Sequence, residues 1–420
     1  MPLVVRILVG LVAGFAVGLG LAGRSSPLAG ATASSLGLLG TLFVNLIRMT
    51  VVPLVVSLLV SSIGSAASAR GLARLGGRAL VLALALLTAA ALGSGLVADR
   101  VLTGAGAGRI GAQELAGVSG SEASAQGASS LSAWIVDLVP GNPVKAAADG
   151  AILPLIIFSV LFGLALAGVD QARRDAVLLV VRGIADAMQT LVSRILVLAP
   201  IGVFALAVPV ASTLGWSAAG ALVLYVGLVV VLTVAASAAL LYPLAILTGP
   251  MPASRFVEFC APAQAIAFAS RSSLAALPAM LESAERAALP SHATTVLLPL
   301  AAAMYHFGAA VAQPVGVVFL AHLYGIALSP LQFASMIVAV VAASFAVPGI
   351  PGGSIIAMAP ALSAAHVPLE GIGILLAVDA VPDMFRTTAN VTGTLALTAM
   401  LRGAPGVGAD QSPHGTMIRT

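Results

Sequence analysis

Val378-Asp-Ala-Val-Pro-Asp-Met-Phe-Arg-Thr-Thr-Ala-Asn-Val-Thr-Gly393 decides the fold. It sits inside an apolar run, roughly 369–401, long enough to span a bilayer. At about 100° per residue, Asp379, Asp383, Arg386, Thr387, Asn390 and Thr394 fall within an arc of about 100°. The residues between them are mostly Val, Met, Ala, Phe and Gly. A charged side chain at mid-membrane costs about 2.5–3.5 kcal/mol on insertion scales. The stripe therefore faces protein or water, which places this helix inside a bundle.

The composition agrees. Of 420 residues, 60% are hydrophobic and 8% charged, and mean hydropathy is +1.11. A soluble domain carries roughly 25% charged residues, so this chain could not cover a water-facing surface. Disorder, coiled coil and collagen are excluded by the same numbers. The net charge of +4 comes with no basic run interleaved with aromatics, so there is no nucleic-acid signature. The single cysteine, Cys260, excludes an intramolecular disulfide and a cysteine metal cluster. It reads as a small apolar filler.

Working outward from the stripe, apolar stretches of spanning length lie at roughly 3–22, 36–63, 78–98, 131–168, 178–208, 217–247, 291–324 and 369–401. The first reads as a span rather than a signal peptide, since further spans follow at once and no clear cleavage site separates them. The fourth is broken at Val139-Pro-Gly-Asn-Pro143. Two other apolar regions are interrupted at their centres. One, roughly 255–288, has Ser270-Arg-Ser-Ser273 and then Leu277-Pro278; the other, roughly 330–365, has Val347-Pro-Gly-Ile-Pro-Gly-Gly-Ser354. Irregular backbone at membrane depth is tolerated only inside protein or beside a water-filled cavity. Both read as re-entrant helical hairpins, the sequence pointer to a transport site. The expected fold is an all-α polytopic membrane protein of eight transmembrane spans plus two re-entrant hairpins.

Lys and Arg set the orientation. Arg70, Arg74 and Arg78 follow the second span, and Arg173, Arg174 and Arg182 follow the fourth; Arg255 and Arg402 fall on the same side. The opposite side holds a Gly/Ser/Ala-rich linker, roughly 103–130. Both termini are thus expected in the cytoplasm of a cell with the chain in its inner membrane, and the polar tail 403–420 is expected to be disordered.

The stripe has two readings. Asp383 and Arg386, at i and i+3, make a structural ion pair. Alternatively, a carboxylate, a guanidinium, a hydroxyl and an amide on one face make a receptor for a small zwitterion with an extra negative charge. In it Arg386 clamps a carboxylate with two hydrogen bonds and Asp383 holds an ammonium, while Asn390 and Thr387 take a second carboxylate. Pro382 permits a kink here, or simply a bend.

The stretch 378–393 resembles the D-x-x-x-D-x-x-R-T-x-x-N-x-x-G pattern of the dicarboxylate/amino acid:cation symporters, the glutamate-transporter family. The resemblance runs in order along roughly 3–402. Leu42-Phe-Val-Asn-Leu-Ile-Arg-Met-Thr-Val-Val-Pro53 is similar to the family's second helix. Pro140-Gly-Asn-Pro143 with Leu153-Pro154 resembles its broken fourth, and Ala199-Pro-Ile-Gly-Val-Phe-Ala205 its fifth. Arg271-Ser-Ser273 with Leu277-Pro278 looks like the first hairpin tip, and Gly349-Ile-Pro-Gly352 like the second.

The resemblance implies a homotrimer in which a mobile domain carries substrate across the membrane by an elevator-type movement. Residues 1–254 would be mainly scaffold and trimerisation spans, the third and sixth joining the transport domain. Residues 255–402 would be its core. Asp383 would bind the substrate amino group, Arg386 the side-chain carboxylate, Thr387 and Asn390 the main-chain carboxylate, with Ser272 and Ser273 contributing from the first hairpin. Having both Asp383 and Arg386 favours an acidic amino acid as the small anionic substrate.

The chain departs from the family at the cation motifs. The family's seventh helix carries N-M-D-G-T; here Tyr305, His306, Phe307, Gly308 and Ala309 stand in its place, and Thr394 replaces an Asp of the last helix. Phenylalanine offers no oxygen to a hard cation, so two sodium sites are expected to be missing. A third, built in the family largely from backbone carbonyls of the second hairpin, aligns with Ser344 to Val347. His306 suggests a proton in place of sodium, with Asp379 and Ser344 as further cation- or proton-coupling candidates. A hydrogen bond from His306 to Gln313 is the alternative role for the ring. The loss of a hydroxyl at Ala309 weakens the contact to an acidic side chain.

The sequence reading is thus a symporter of an acidic amino acid or dicarboxylate with a coupled cation, H+ or Na+. The alternative is an uncoupled facilitator or sensor of the same fold. No enzyme motif appears: H-E-x-x-H, G-x-S-x-G and Cys/His metal spacings are absent.

Overall fold

The computed structural model describes residues 3–21, 27–67, 73–105, 136, 138–214, 216–248, 251–289, 297–347 and 352–400. Among these there are helices and turns but no strand. The polar tail, most of the linker, residues 348–351 with most of the Gly349–Gly352 motif, Arg70 and Arg402 lie outside the described residues.

The first three helices are α1 (Leu3–Leu21), α2 (Pro27–Ala67) and α3 (Ala73–Gly104). The seam of α1 against its neighbour is made of Gly10, Gly14 and Gly18, one turn apart. A Cβ on any of them would strike backbone carbonyls of Pro200, Phe204 or Val208. Small residues at this spacing let two helix backbones approach in lipid, where no hydrophobic force between helices is available. Pro53 lies inside α2, and the Ser57 hydroxyl donates to its carbonyl at 2.6 Å.

The break at 139–143 is present. Asn142 caps α4 (Pro143–Ala148), its Oδ1 accepting from the Val144 and Lys145 amides. α5 (Ile152–Ala165) follows. The stretch 178–208 is not one helix, as the sequence reading expected. It is α6 (Gln171–Leu196) and α7 (Ala199–Leu214), interrupted at Val197 and Leu198. Pro200 has no N–H to give the Leu196 carbonyl, so the ladder lapses there. α1 packs on α7, and α2 packs on α5, α6 and α7.

α8 (Trp216–Ala236) passes through a π turn, Ser237–Leu241, into α9 (Tyr242–Thr248). α10 (Ala253–Ser270) and α11 (Leu277–Arg286) pack on each other as a helical hairpin that turns through Arg271 at φ 55°. Next come α12 (Leu298–Met304) and α13 (Phe307–Leu323). The apolar run 291–324, expected as one span, is interrupted at Tyr305 and His306, whose backbones leave helical geometry. α14 (Pro330–Ala343) starts at a capping box of Ser329 and Gln332. Beyond the second interruption, α15 (Gly353–Ile356) and α16 (Ala359–Ala364) lead back, and α16 packs on α14.

The run 369–401 is also divided, into α17 (Gly371–Val378) and α18 (Ala380–Met400). The division falls at Asp379, one turn before Pro382, whose missing N–H leaves the Val378 carbonyl without its helical partner. The Asp383 amide resumes the ladder on the Asp379 carbonyl at 2.8 Å. α18 is sheathed by α8, α10 and α13, and α13 by α3 and α14. Every residue of α13 except His322 is buried. Five helical stretches are long and apolar enough to cross a membrane among the described residues: Ser35–Gly64, Leu80–Gly104, Gln171–Leu196, Ala219–Thr248 and, across its interruption, Leu298–Leu323.

Candidate functional site

The division of the last run at Asp379 builds the site. There the Asp379 carboxylate meets Arg386, seven residues on. The guanidinium donates Nη1 to Oδ1 at 2.8 Å and Nη2 to Oδ2 at 2.9 Å, a bidentate pair. Nη2 also donates to Asp383 Oδ1 at 2.8 Å. Arg386 is 1% exposed, Asp379 4% and Asp383 7%. The i, i+3 pair of the sequence reading is therefore present, as the lesser part of a three-residue network.

Two carboxylates against one guanidinium leave the network with a formal charge of −1. Asp383 Oδ2 is buried with no hydrogen-bond partner. An unpaired buried carboxylate oxygen beside a satisfied Arg asks for a donor, and an ammonium supplies one. Thr387 Oγ1 lies 3.4 Å from Asp383 Oδ1, at the edge of the same network. The Asn390 side chain accepts the Gly308 amide at 2.7 Å, capping the first turn of α13 and leaving the amide N–H pair of Asn390 unspent. Gly308 permits this approach, since a Cβ there would collide with the Arg386 carbonyl oxygen.

The hairpin of α10 and α11 lies along α18. Phe268 meets Phe385 edge to face at 5.3 Å, and Gln264 donates to Thr392 at 2.8 Å. Ser272 and Ser273 sit half-buried at its turn, beside Arg271, which is within electrostatic reach of Asp379. The Ser272 hydroxyl accepts from the Ala275 amide within the turn and is not bonded to the stripe.

His306 and Ser344 come together. His306 Nδ1 lies 3.0 Å from the Ser344 carbonyl oxygen. A carbonyl only accepts, so Nδ1 carries the proton. The Met304 carbonyl is the ring's second backbone neighbour. The alternative bond to Gln313 does not form: Gln313 donates to the Ser354 carbonyl at 3.1 Å instead. Thr394 is buried, and Phe307 and Tyr305 pack against the backbone of Gly393, one residue away.

Tyr225 of α8 joins the site without a motif to announce it. It is fully buried and within electrostatic reach of Asp379 and Arg386; its ring lies 5.0 Å from Phe319 and its hydroxyl has no hydrogen-bond partner. Its only sequence signal is a phenol in an otherwise apolar run, which an ordinary packed tyrosine also gives.

An all-helical chain with long apolar helices and a buried ionic network on interrupted helices is a multi-pass membrane protein built around a polar site. A family model described as the sodium:dicarboxylate symporter family matches residues 3–403, and the chain belongs to that family of transporters. The chain is 31% identical to the proton/glutamate-aspartate symporter of Escherichia coli K12, over 84% of its length and 82% of the relative's. It is 28% identical to the proton/sodium-glutamate symport protein of Bacillus caldotenax, over 92% and 91%. It is also 28% identical to C4-dicarboxylate transport protein 3 of Bradyrhizobium diazoefficiens, over 84% and 79%.

Proposed function

We propose that the protein is a secondary active symporter that moves an acidic amino acid across the inner membrane together with a proton. The observation that carries this reading is the bidentate hold of Asp379 on Arg386 beside an unpartnered Asp383 oxygen. Asp379 occupies the guanidinium as a substrate carboxylate would. A substrate side-chain carboxylate displaces it, the substrate ammonium takes Asp383 Oδ2, and the main-chain carboxylate is met by Asn390 Nδ2 and Thr387. Ser272 and Ser273 close over it from the first hairpin. The relatives named for glutamate and aspartate support an acidic amino acid over a plain dicarboxylate.

The coupled ion is assigned to His306. Its N–H holds the Ser344 carbonyl, in the segment where the family resemblance puts a backbone cation site. The neutral imidazole already ties the second hairpin to the α12–α13 break through the Ser344 carbonyl, and an imidazolium would have a second N–H to give. Asp379 and Ser344 complete this coupling group. Phe307 and Thr394 supply no carboxylate for sodium.

Eight spans, two re-entrant hairpins, a homotrimer and cytoplasmic termini follow as parts of the same proposal. Residues 1–254 mainly form the scaffold and 255–402 the transport core. The packing of α3 on α13, and of α8 on α13 and α18, supports placing the third and sixth spans with the moving core. The aromatic carbon at the cation positions favours a second reading, an uncoupled facilitator or sensor. Equilibrium binding of labelled aspartate, competed by glutamate, serine and succinate, tests the receptor. Competition by glutamate alone supports it, and equal competition by serine overturns it.

A further inference from the structure

A substrate carboxylate that takes the Arg386 guanidinium leaves Asp379 without both of its hydrogen bonds. Asp379 is 4% exposed, and a buried carboxylate parted from its cation is costly unless another donor meets it. The other polar groups of the network are already engaged in the proposed receptor. The substrate ammonium goes to Asp383, and Asn390 and Thr387 go to the main-chain carboxylate.

Tyr225 has a donor to spare. It lies on α8, which has no charged residue and packs on both α13 and α18. Its ring is held against Phe319 of α13 at 5.0 Å and 33°. The residue is fully buried, within electrostatic reach of Asp379 and Arg386, and its hydroxyl has no hydrogen-bond partner. A buried tyrosine hydroxyl usually finds a partner, and one left without it destabilises the fold. The cost falls away in any arrangement that brings an acceptor to the phenol, and a released Asp379 carboxylate is such an acceptor.

We propose that Tyr225 is a positioning residue whose hydroxyl donates to the Asp379 carboxylate once substrate has displaced that carboxylate from Arg386, an assignment that rests on the receptor proposed above. Tyr225 then acts through Asp379 and touches no substrate. Only hydrogen bonds are exchanged: the carboxylate moves from one donor to another, and the phenol keeps its proton.

The test is calorimetric titration of aspartate into the purified full chain, with the Tm measured before aspartate is added. Tyr225→Phe removes the hydroxyl and keeps the ring. It should weaken aspartate binding about tenfold, for one hydrogen bond to a charged group. It should also raise the Tm, because an unpaired buried oxygen is gone. A packing role for Tyr225 would lower both. In an Asp379→Ala background no carboxylate needs the phenol, so adding Tyr225→Phe should leave the affinity unchanged. If Asp379→Ala fails to fold, the opposed shifts of Tyr225→Phe decide alone. Unchanged affinity in Tyr225→Phe, a lowered Tm, or the same loss in both backgrounds overturns the proposal. Unchanged affinity in Tyr225→Phe with a tenfold loss in Arg271→Gln gives the released carboxylate to Arg271 instead, the half-buried cation of the hairpin turn that is also within electrostatic reach of Asp379. These results leave the receptor standing. No aspartate binding by the unaltered chain overturns the receptor and the role of Tyr225 together.

Discussion

The carboxylate of Asp379 grips the guanidinium of Arg386 through two parallel hydrogen bonds of 2.8 and 2.9 Å, across seven residues of the last helical run. On this account the grip is a stand-in for substrate. Asp379→Asn should loosen it and raise the affinity for aspartate by about tenfold, the effect of about 1.4 kcal/mol less competition. Arg386→Ala should lose aspartate binding, because it removes the one cation of the network. Calorimetric titration of the purified variants checks both, and weaker binding by Asp379→Asn would remove the stand-in role.

His306→Gln retains a donor for the Ser344 carbonyl but cannot carry a proton. Proton-driven uptake into vesicles under an imposed pH gradient should fall to the background level, while substrate binding persists. Undiminished uptake assigns the proton elsewhere.

Gly308→Ala places a methyl group against the Arg386 carbonyl. Neither backbone can retreat, since Asn390 ties the Gly308 amide to α18. Overpacking of this kind costs about 1–3 kcal/mol. A lowered Tm with lost aspartate binding is the expected outcome, and a wild-type Tm would contradict the close approach.

Arg48 of α2 pairs with Glu370, just before α17, at 3.2 Å on an exposed surface. An exposed pair is worth about 0–1 kcal/mol, so Arg48→Gln should barely move the Tm. On the proposed elevator reading, the pair joins the scaffold to the moving core. Cross-linking Arg48→Cys to Glu370→Cys, in a Cys260→Ser background, should arrest uptake until the link is reduced. Full uptake by the cross-linked protein would contradict that movement.

The polar stripe was legible in the sequence because helical periodicity alone aligns Asp379, Asp383, Arg386, Thr387, Asn390 and Thr394, and all six are buried. The break at 139–143 was legible from its prolines and glycine. The break at Tyr305 and His306 was not, because neither residue is a helix breaker and tertiary contacts decide it: Asn390 caps the new helix start and Ser344 holds the ring. Pro200 did announce the division of 178–208, but apolar residues run unbroken through it and hid the signal. The dominance of Asp379 over Asp383 on Arg386 was also hidden. It depends on the Arg386 side chain reaching back seven residues along the axis, a length that a helical wheel does not measure. Tyr225 carries no charge, and nothing in the local pattern sets it apart from core.

Uptake of labelled aspartate into proteoliposomes, with inward proton and sodium gradients imposed separately, tests the central claim most directly. The account predicts accumulation above equilibrium under the proton gradient, none under sodium alone, and none with Arg386→Ala. Accumulation driven only by sodium, or equilibration without accumulation under either gradient, would contradict it.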